Sequence, residues 1–469
     1  MLPFLFLVVT FFYYICYMIF VEDKFEYFDF LREYKKHTNK IYVRFSDNDK
    51  HPMNNRISFI YVQNPENEYV INVNNNDGLG IKFEALKELQ NNPKLQIVFN
   101  YKAVQQVLPL SNAVDADLTK FIQYGYHDIE LDEERILQFY KSRFKTQTFL
   151  NDSIPIMKQL ELIKKYSEKF PKDYDIKFCT YPILATNAFS YIEKSGLKIN
   201  TNYKQLFDIE NITKDNFVYT EYNLMTSTLR PSNRHGGINF AAIKKDSGDR
   251  KAFISRFENG ELISCDFQAY HPRLLLDLIY QNFLNSTINV KEYEWINNFY
   301  NKNLDFYEWI GKEMKIDHLV DYRTESKNII FRNLYGGIST ELLNIPFFKE
   351  VQHLTDAHYD LLQKIGAINT YQFKVRIDRE RLEPVTPAKV LNYLIQSYET
   401  ERNIQLILKI KDKLEAKKSK LILYNYDAFV FDVCIEEKQY LYDEVFPILK
   451  GKDGRYPIKI TIGKNYDEL

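Results

Sequence analysis

The sequence predicts an α+β protein, with a β-rich N-terminal part and a mostly helical remainder that carries strands of its own. Residues 40–73 contain three runs, IYVRF, ISFIYV and EYVINV, in which β-branched and aromatic residues alternate or run continuously, as in strands. Apolar residues recur at helical spacing through 129–170 and again from 272 to about 315. Two further strand pairs, at 252–267 and 421–433, lie on either side of the second helical region, which is typical of an α+β fold.

The first 39 residues open on a long apolar run. Residues 2–21 (LPFLFLVVTFFYYICYMIFV) contain no charged residue and are long enough to span a bilayer. They lack the basic region and the small-residue cleavage site of a signal peptide. Three interpretations stay open: a membrane anchor, a packed N-terminal helix, and a start codon that lies upstream of the true one.

Residues 40–170 are predicted to form one domain. After the three strands, residues 83–89 have the pattern of a short amphipathic helix, and residues 95–100 (LQIVFN) have that of a buried strand. The order strand–strand–strand–helix–strand indicates an α/β or α+β domain. The helical stretch at 129–170 would complete it.

The composition is that of a globular protein without a strong charge bias. The chain has 469 residues, 27% of them charged and 45% hydrophobic, which suffices for two or three domains. Its formal net charge is −1, so a surface that binds nucleic acid would have to be a local basic patch. The cysteines have neither zinc-ligand spacing nor a disulfide framework, which indicates a reducing compartment and a cytoplasmic protein. They are Cys16, Cys179, Cys265 and Cys434.

The stretch 323–336 (RTESKNIIFRNLYG) is the most informative segment for function. Arg323, Lys327, Phe331 and Tyr335 are four residues apart, so on a helix they form one narrow stripe that ends near a glycine. Cations on such a stripe can bind a triphosphate while aromatic rings stack on a sugar and base. The alternative is a half-exposed helix with solvated cations and core aromatics.

Two aspartates lie next to apolar strands, one at the end of a strand and one at the bend between two strands. Asp266 ends the run LISCDF, and Asp427 lies at the bend of LILYNYDAFVFDV. An acid in such a place is costly to bury unless it is paired or bound to a cation. Together they can hold two Mg²⁺ ions about 3.5–4 Å apart. The alternative is two unrelated turn or cap carboxylates.

The order of these motifs resembles that of the family A DNA polymerases, the family of bacterial DNA polymerase I. The resemblance covers about residues 185–469. It rests on segments similar to the template–primer segment T-x-T-G-R-x-S-S, to motif A, to motif B (the nucleotide-binding helix), to the segment N-x-x-x-Q and to motif C. In order, these are TSTLRPS (226–232), RKAFISRFENGELISCDFQAYHPRLL (250–275), the stretch 323–336, Asn392 with Gln396, and NYDAFVFDV (425–433).

The resemblance implies a right-hand polymerase with palm, fingers and a reduced thumb, preceded by a degenerate RNase H-like 3′–5′ exonuclease-type α/β domain. The domains expected on this basis run in chain order. They are a hydrophobic segment and linker (1–39), the degenerate exonuclease-like domain (40–170), a connector with the reduced thumb and the start of the palm (171–250), the palm with motif A (251–276), the fingers (277–388), and the palm with motif C (389–469).

The resemblance also implies a role for each matching residue. The catalytic positions would be Asp266 and Asp427, as ligands of two Mg²⁺ ions, and Lys327, as the acid for departing pyrophosphate. The nucleotide-binding positions would be Arg323, Lys327, Phe331, Tyr335 and His271, the last at the wall that faces the sugar. The DNA-binding positions would be Arg230, Arg273, Asn392 and Gln396.

The chain departs from the family pattern at several positions. His271 replaces a glutamate that excludes a ribose 2′-hydroxyl, but it is still bulky, so deoxynucleotides are favoured. Motif C keeps its aspartate, whereas Tyr426 replaces its histidine and Ala428 its glutamate. In IVFNYKAV (97–104), similar to the exonuclease segment N-x-K-x-D, Val104 replaces the aspartate, so proofreading should be lost. Only roughly 25 residues fill the thumb region, so the grip on duplex should be weak.

We therefore predict a template-directed DNA polymerase that extends a primer 3′ end by two-metal phosphoryl transfer without proofreading. Its partners would be primer–template DNA, deoxynucleoside triphosphates and an accessory protein that supplies processivity. Its compact form favours a viral or plasmid-borne enzyme, in the host cytoplasm if viral. Two alternatives stay open: an RNA polymerase or primase-like enzyme of the same fold, and a catalytically weak replication scaffold tethered to a membrane through residues 2–21.

Overall fold

A computed structural model gives the fold, in which the chain forms two compact units. The N-terminal unit comprises Met1–Gly196, Lys204–Glu221 and Arg234–Ile238, and the C-terminal unit comprises Leu197–Tyr203, Tyr222–Asn233 and Asn239–Leu469. The helical stretch predicted at 129–170 lies outside the residues that the structure describes. The described residues are 18–47, 50–73, 80–124, 180–206, 212–213, 215–233, 238–284, 294–301, 304–316, 321–382, 384–451 and 453–469.

A six-stranded mixed sheet organises the N-terminal unit. Its strands are β1 (Met18–Val21), β2 (Asn39–Phe45), β3 (Ile57–Gln63), β4 (Glu68–Asn72), β5 (Gln96–Val98) and β6 (Ala113–Asp115). Their order in the sheet is β1-β4-β3-β2-β5-β6. β2, β3 and β4 pair antiparallel, β5 lies parallel to β2 and β6, and β1 lies parallel to β4. The three strands predicted in 40–73 and the strand predicted near 95–100 are confirmed.

Helices cover this sheet where the sequence offers caps and apolar faces. They are α1 (Lys24–Tyr34), α2 (Tyr101–Val107), α3 (Ala116–Tyr124) and α4 (Thr180–Glu193). α1 begins at a capping box, in which Asp23 accepts from the backbone N–H of Glu26 and the Glu26 carboxylate accepts from that of Asp23. The predicted helix at 83–89 is a 3₁₀ helix, with Leu86 and Leu89 buried, rather than an α-helix.

The end of the apolar run 2–21 belongs to the sheet. Residues Met18–Val21 form β1, in which Met18 pairs with Glu68 and Val21 with Ile71. Val21 is completely buried. Among the residues described, no helix combines the length and the hydropathy that crossing a membrane requires.

The strands of the remaining chain form a four-stranded sheet and several small pairs. They are β7 (Leu197–Ile199), β8 (Phe217–Val218, in the N-terminal unit), β9 (Tyr222–Asn223), β10 (Ser232–Asn233), β11 (Phe253–Ile254), β12 (Glu261–Phe267), β13 (Ala367–Asn369), β14 (Arg376–Asp378), β15 (Lys420–Asn425), β16 (Ala428–Val433) and β17 (Ile458–Gly463). The four-stranded sheet has the order β15-β16-β12-β17 and is antiparallel throughout. Strands form in both predicted regions. At 421–433 they pair with each other as β15 and β16, whereas at 252–267 β11 pairs with β7 and β12 pairs with β16 and β17.

Helices make up most of the C-terminal unit. They are α5 (Tyr270–Leu284), α6 (Glu294–Asn301), α7 (Phe306–Glu313), α8 (Tyr322–Gly336), α9 (Pro346–Ile365), α10 (Pro387–Leu414), α11 (Lys438–Tyr440) and α12 (Phe446–Lys450). α10 has 28 residues and begins at Thr386, whose side chain accepts from the N–H of Lys389. It packs against α5, α8 and α9 and is buried along most of its length. It is the helix around which this unit is arranged.

A buried ion pair ties the four-stranded sheet to the segment after β11. Asp432 of β16 is completely buried, accepts from Ser255 Oγ at 2.6 Å and lies 2.7 Å from Arg256 Nε. We expect Asp432→Asn to lower the free energy of unfolding by about 2–4 kcal/mol, because it leaves the guanidinium without its counter-charge. Urea unfolding of the purified protein measures this.

The matched control is a solvent-exposed ion pair of the same protein. Arg376 Nε lies 2.8 Å from Asp378 Oδ1, with 55% and 37% of the two side chains exposed. Asp378→Asn should change the free energy of unfolding by less than about 1 kcal/mol. Equal losses in Asp432→Asn and Asp378→Asn would contradict the assignment of the first pair as structural.

Candidate active site

The hairpin between β15 and β16 presents Asp427 at a two-residue turn. Asn425 pairs with Ala428, so Tyr426 and Asp427 are the central residues. Tyr426 has φ +62°, a left-handed conformation that such turns usually give to glycine or asparagine. A non-glycine residue held in this region costs about 1–3 kcal/mol and persists where its surroundings determine it.

Two contacts hold the strained turn. Asn403 of α10 donates from Nδ2 to the carbonyl oxygen of Tyr426 at 3.1 Å. The guanidinium of Arg230 lies over the Tyr426 ring, 3.9 Å from its centroid. The backbone just before Asp427 is therefore fixed from two sides.

The register of β12 against β16 brings Asp266 to the same place. Asp266 pairs with Ala428, the residue after Asp427, and the N–H of Phe267 donates to the carbonyl oxygen of Asp427 at 2.8 Å. Along β12 the side chains alternate, so Asp266 is exposed while Cys265 and Phe267 are buried. The two predicted acids thus lie side by side at one end of the sheet.

Both carboxyl groups are harder to ionise than usual. Restricted hydration raises the pKa of Asp266 from 3.8 to about 6 although its side chain reaches solvent; nearby Asp427 adds to the rise, which Lys459 and Lys327 oppose. Burial raises the pKa of Asp427, and Glu399 adds to it. Neither acid forms an ion pair with a residue in the described part of the chain.

This donor set fits Mg²⁺. Adjacent carboxylates without a protein counter-charge are stabilised by a cation, and Mg²⁺ binds through one or two carboxylates together with water and substrate phosphates. Lys327 is close enough to Asp266 to lower its pKa. The three residues predicted to be catalytic are thus brought together.

The predicted stripe forms the open face of α8. Arg323 and Lys327 are exposed, while Phe331 and Tyr335 are half-buried with their rings stacked at 5.7 Å between centroids and 15° between planes. The buried face of the helix consists of other residues, namely Ser326, Ile330, Asn333 and Leu334. The stripe is therefore not a core face, and the helix ends at Gly336 as predicted.

Arg323 is held near the N-terminus of α8. Its guanidinium lies 3.2 Å from Asp305 Oδ2 and over the ring of Tyr307, 5.3 Å from the centroid. Lys327 lies 5.9 Å from the centroid of Phe331. Because the Arg323 pair is exposed, the guanidinium can exchange that partner for a bound anion at little free-energy cost.

His271 connects α5 with the end of the stripe. The side chain is buried, with Nδ1 hydrogen-bonded to the Tyr335 hydroxyl and Nε2 at 3.1 Å from Oε2 of Glu399. Glu399 carries no motif signal in the sequence. The spacing that could have located it is its distance of three residues from Gln396, which puts both on the same side of α10.

The predicted DNA-binding residues fall into two groups. Arg230 follows Leu229 (φ +62°) and contacts Glu399, with Nη2 donating to Oε1 at 3.3 Å. Asn392 and Gln396 are half-buried one turn apart on α10, and Asn392 Oδ1 is buried without a hydrogen-bond partner among the described residues.

Arg273 is placed differently. It is buried, and its guanidinium donates to the carbonyl oxygens of Gln268, Arg455 and Leu304 at 3.0–3.2 Å. The guanidinium also lies over the Phe299 ring. Each guanidinium nitrogen already donates to the protein's own backbone, which favours a structural role for Arg273, and its DNA contact stays a prediction.

Comparison with known proteins identifies the class of fold. No family model and no curated protein matches the sequence. Among solved structures, the chain matches a DNA polymerase of family A over 96% of its length, and it therefore has that fold.

The matching structure is described as the POL domain of Pol1 from M. smegmatis in complex with DNA primer-template and dNTP. The TM-score is 0.70, the match covers 99% of that chain, and the sequence identity is 13%. The mixed α+β fold predicted from the sequence is confirmed at this level.

The raised pKa of Asp266 gives a testable effect on stability. Because the folded state holds this proton more tightly than the unfolded chain, Asp266 favours folding below pH 4, and this contribution is lost as pH rises through about 6. Asp266→Asn cannot ionise, so in EDTA at pH 7.5 it should melt about 1–3 °C above the wild type. Calorimetry from pH 7.5 to 5 should show the difference shrinking.

The effect of Mg²⁺ on the melting temperature is the complementary measurement. Added Mg²⁺ should raise the melting temperature of the wild type and not that of Asp266→Asn, since binding to the folded state alone is stabilising. Asp412→Asn, an exposed acid on α10, is the control and should respond as the wild type does. An unchanged or lower melting temperature of Asp266→Asn in EDTA would contradict the raised pKa of Asp266.

Proposed function

We propose that this protein is a template-directed DNA polymerase that adds deoxynucleotides to a primer 3′ end. The observation that carries the proposal is the position of Asp266 beside Asp427 at one end of a four-stranded sheet, within the electrostatic range of Lys327, in a family A polymerase fold. Each of these residue types supplies what phosphoryl transfer needs, namely acidic ligands for cations and a positive charge for the leaving group.

Asp266 and Asp427 would hold Mg²⁺. When bound, two such ions lower the pKa of an attacking hydroxyl and neutralise the charge of a departing pyrophosphate. The protein's own contribution is to hold the two carboxylates next to each other, although their surroundings raise both pKa values; a bound cation would favour the ionised forms. The strained turn at Tyr426 and the pairing of β12 with β16 provide that position.

The stripe on α8 would bind the incoming nucleotide. Arg323 and Lys327 present two exposed cations one helical turn apart, which suits the β and γ phosphates. Lys327 would also donate a proton to the departing pyrophosphate. The stacked rings of Phe331 and Tyr335 continue the stripe toward the sugar and base, where aromatic faces stack without reading sequence.

His271 and the polar residues beside it would face the sugar and the primer–template. His271 is held against Tyr335, so a bulky ring lies next to the stripe where a ribose 2′-hydroxyl would have to fit. This supports selection of deoxynucleotides. Arg230, Asn392 and Gln396 would contact primer–template.

The N-terminal unit is proposed to be an exonuclease-type domain without proofreading activity. Its mixed sheet and flanking helices support the fold. Val104 is completely buried in the core, and Lys102 forms an ion pair with buried Glu193 and lies 4.0 Å from Glu221. Two-metal hydrolysis needs carboxylates that can bind cations, whereas Glu193 and Glu221 already have the Lys102 ammonium as counter-charge.

Primer extension tests the function. The wild type with Mg²⁺ should extend a labelled primer with deoxynucleotides, and Asp266→Ala should reduce kcat/KM by about 10³-fold or more, because the cation site is lost. Asp412→Ala, which removes an exposed acid on α10, is the control and should retain the activity. The same reactions without nucleotides should leave the primer length unchanged.

The possible outcomes separate the alternatives. Extension with ribonucleotides alone would favour an RNA polymerase or primase-like enzyme. Extension by Asp266→Ala at the wild-type rate would overturn the metal assignment. No extension by the wild type would leave the replication scaffold as the better explanation of the fold.

Lys327 provides a separate test of nucleotide binding. Lys327→Ala should lower kcat/KM for the deoxynucleotide by about 10–100-fold, which corresponds to the loss of one charge-assisted contact of about 1.5–3 kcal/mol. Single-nucleotide incorporation kinetics measure this. Lys349→Ala removes an exposed lysine of α9 and should behave as the wild type. Equal effects of the two substitutions would refute a specific role for the stripe.

A further inference from the structure

The carboxylate of Glu399 joins side chains from separate parts of the C-terminal unit. It is completely buried in the middle of α10. Oε2 lies 3.1 Å from Nε2 of His271 and 3.0 Å from Nε of Arg230, while Oε1 accepts from Nη2 of Arg230 at 3.3 Å. A buried carboxylate is expensive to maintain, so a network that satisfies it is a strong constraint on the positions of its members.

Glu399 determines which nitrogen of His271 carries the proton. An ionised carboxylate only accepts hydrogen bonds, so Nε2 of His271 must be the donor. Burial raises the pKa of Tyr335, and its hydroxyl therefore stays protonated and donates to Nδ1. The result is one directional chain, from Tyr335 through His271 to Glu399, that fixes the orientation of the ring.

The same carboxylate reaches the turn that presents Asp427. Arg230, held by Glu399, places its guanidinium over the ring of Tyr426. One turn further along α10, Asn403 donates to the carbonyl oxygen of Tyr426. The end of the α8 stripe and the metal-binding turn are thus held by neighbouring residues of one helix.

We propose that Glu399 is a positioning residue that sets sugar selectivity by orienting His271 and Tyr335 beside the incoming nucleotide. The inference rests on the proposed polymerase function and extends it, since no part of the motif resemblance assigns a role to position 399. As a positioning residue, Glu399 does not itself contact the reacting atoms. Its effect passes through the His271 ring, whose edge excludes a ribose 2′-hydroxyl only while the ring keeps its orientation.

The substitution Glu399→Gln separates orientation from burial. The glutamine amide has nearly the same shape but an oxygen at only one of the two positions, so it cannot both accept from Nη2 of Arg230, as Oε1 does, and accept from Nε2 of His271, as Oε2 does. If the oxygen keeps the charge-assisted bond from Nη2 of Arg230, the amide N–H₂ faces Nε2 of His271 and the imidazole must shift its proton to Nδ1. Nδ1 then donates to Tyr335, which reverses the hydrogen-bond chain without leaving a cavity.

The matched control is Glu401→Gln, two residues further along α10. Glu401 is also completely buried, and its carboxylate accepts from the backbone N–H groups of Gln372 at 2.7 Å and Phe373 at 3.0 Å. It contacts Thr370 and no residue of the candidate site. A loss of stability caused only by neutralising a buried acid should appear in both variants.

The kinetic arm compares single incorporation of a deoxynucleotide and of the matching ribonucleotide. We expect Glu399→Gln to lower the ratio of their kcat/KM values by about tenfold or more, mainly through KM. Glu401→Gln should keep the wild-type ratio. An unchanged ratio in Glu399→Gln, with an active wild type, would overturn the proposal.

The second arm needs no activity. The ¹⁵N shifts of labelled histidine, with His271 assigned through His271→Gln, should show the Nε2–H form in the wild type and in Glu401→Gln, and the Nδ1–H form in Glu399→Gln. The same form in all three would overturn the proposed orientation. If the wild type extends no primer, the polymerase function fails while this measurement still decides whether Glu399 orients His271.

Discussion

The antiparallel pairing of β12 with β16 is the constraint on which the candidate site depends. It sets Asp266 opposite Ala428 and so beside Asp427, although the two acids are far apart in the sequence. Side chains along a strand alternate between faces, so a slip of one residue would bury Asp266 and expose Cys265 in its place. Asp432 on the same strand anchors the register, because its buried carboxylate can meet Arg256 and Ser255 in only one alignment.

A second constraint is the polar line along one side of α10. Most of this helix packs in the core, yet Gln396, Glu399 and Asn403 are polar and lie about one turn apart. Glu399 and Asn403 are satisfied only by groups from other elements. Such a network is stable when complete and unfavourable when any member is missing, so the core of this unit and the arrangement of the site are formed together.

The parts of the site that local residue spacing determines could be predicted from the sequence. The four-residue spacing of Arg323, Lys327, Phe331 and Tyr335 defined the open face of α8, and the flanking apolar strands marked Asp266 and Asp427. The strands of both sheets followed from their alternating or continuous apolar runs. The short amphipathic helix predicted at 83–89 forms as a 3₁₀ helix, a choice that tertiary packing decides in short segments. The burial of Arg273 and the pairing of Glu399 could not be predicted from the sequence, because each depends on groups that are distant in the chain.

Three left-handed residues lie just before side chains of the site: Leu229 one residue before Arg230, Ala269 two residues before His271, and Tyr426 one residue before Asp427. Glycine would adopt each conformation without strain, and its absence makes these segments stiffer in the unfolded and folded chain alike. For protein engineering, this means that a gain in stability and the accurate placement of the site side chains oppose each other. Replacing these residues by glycine would relieve backbone strain and so add stability. Each replacement would also loosen the side chain that follows, so thermostable variants should be sought elsewhere in the fold.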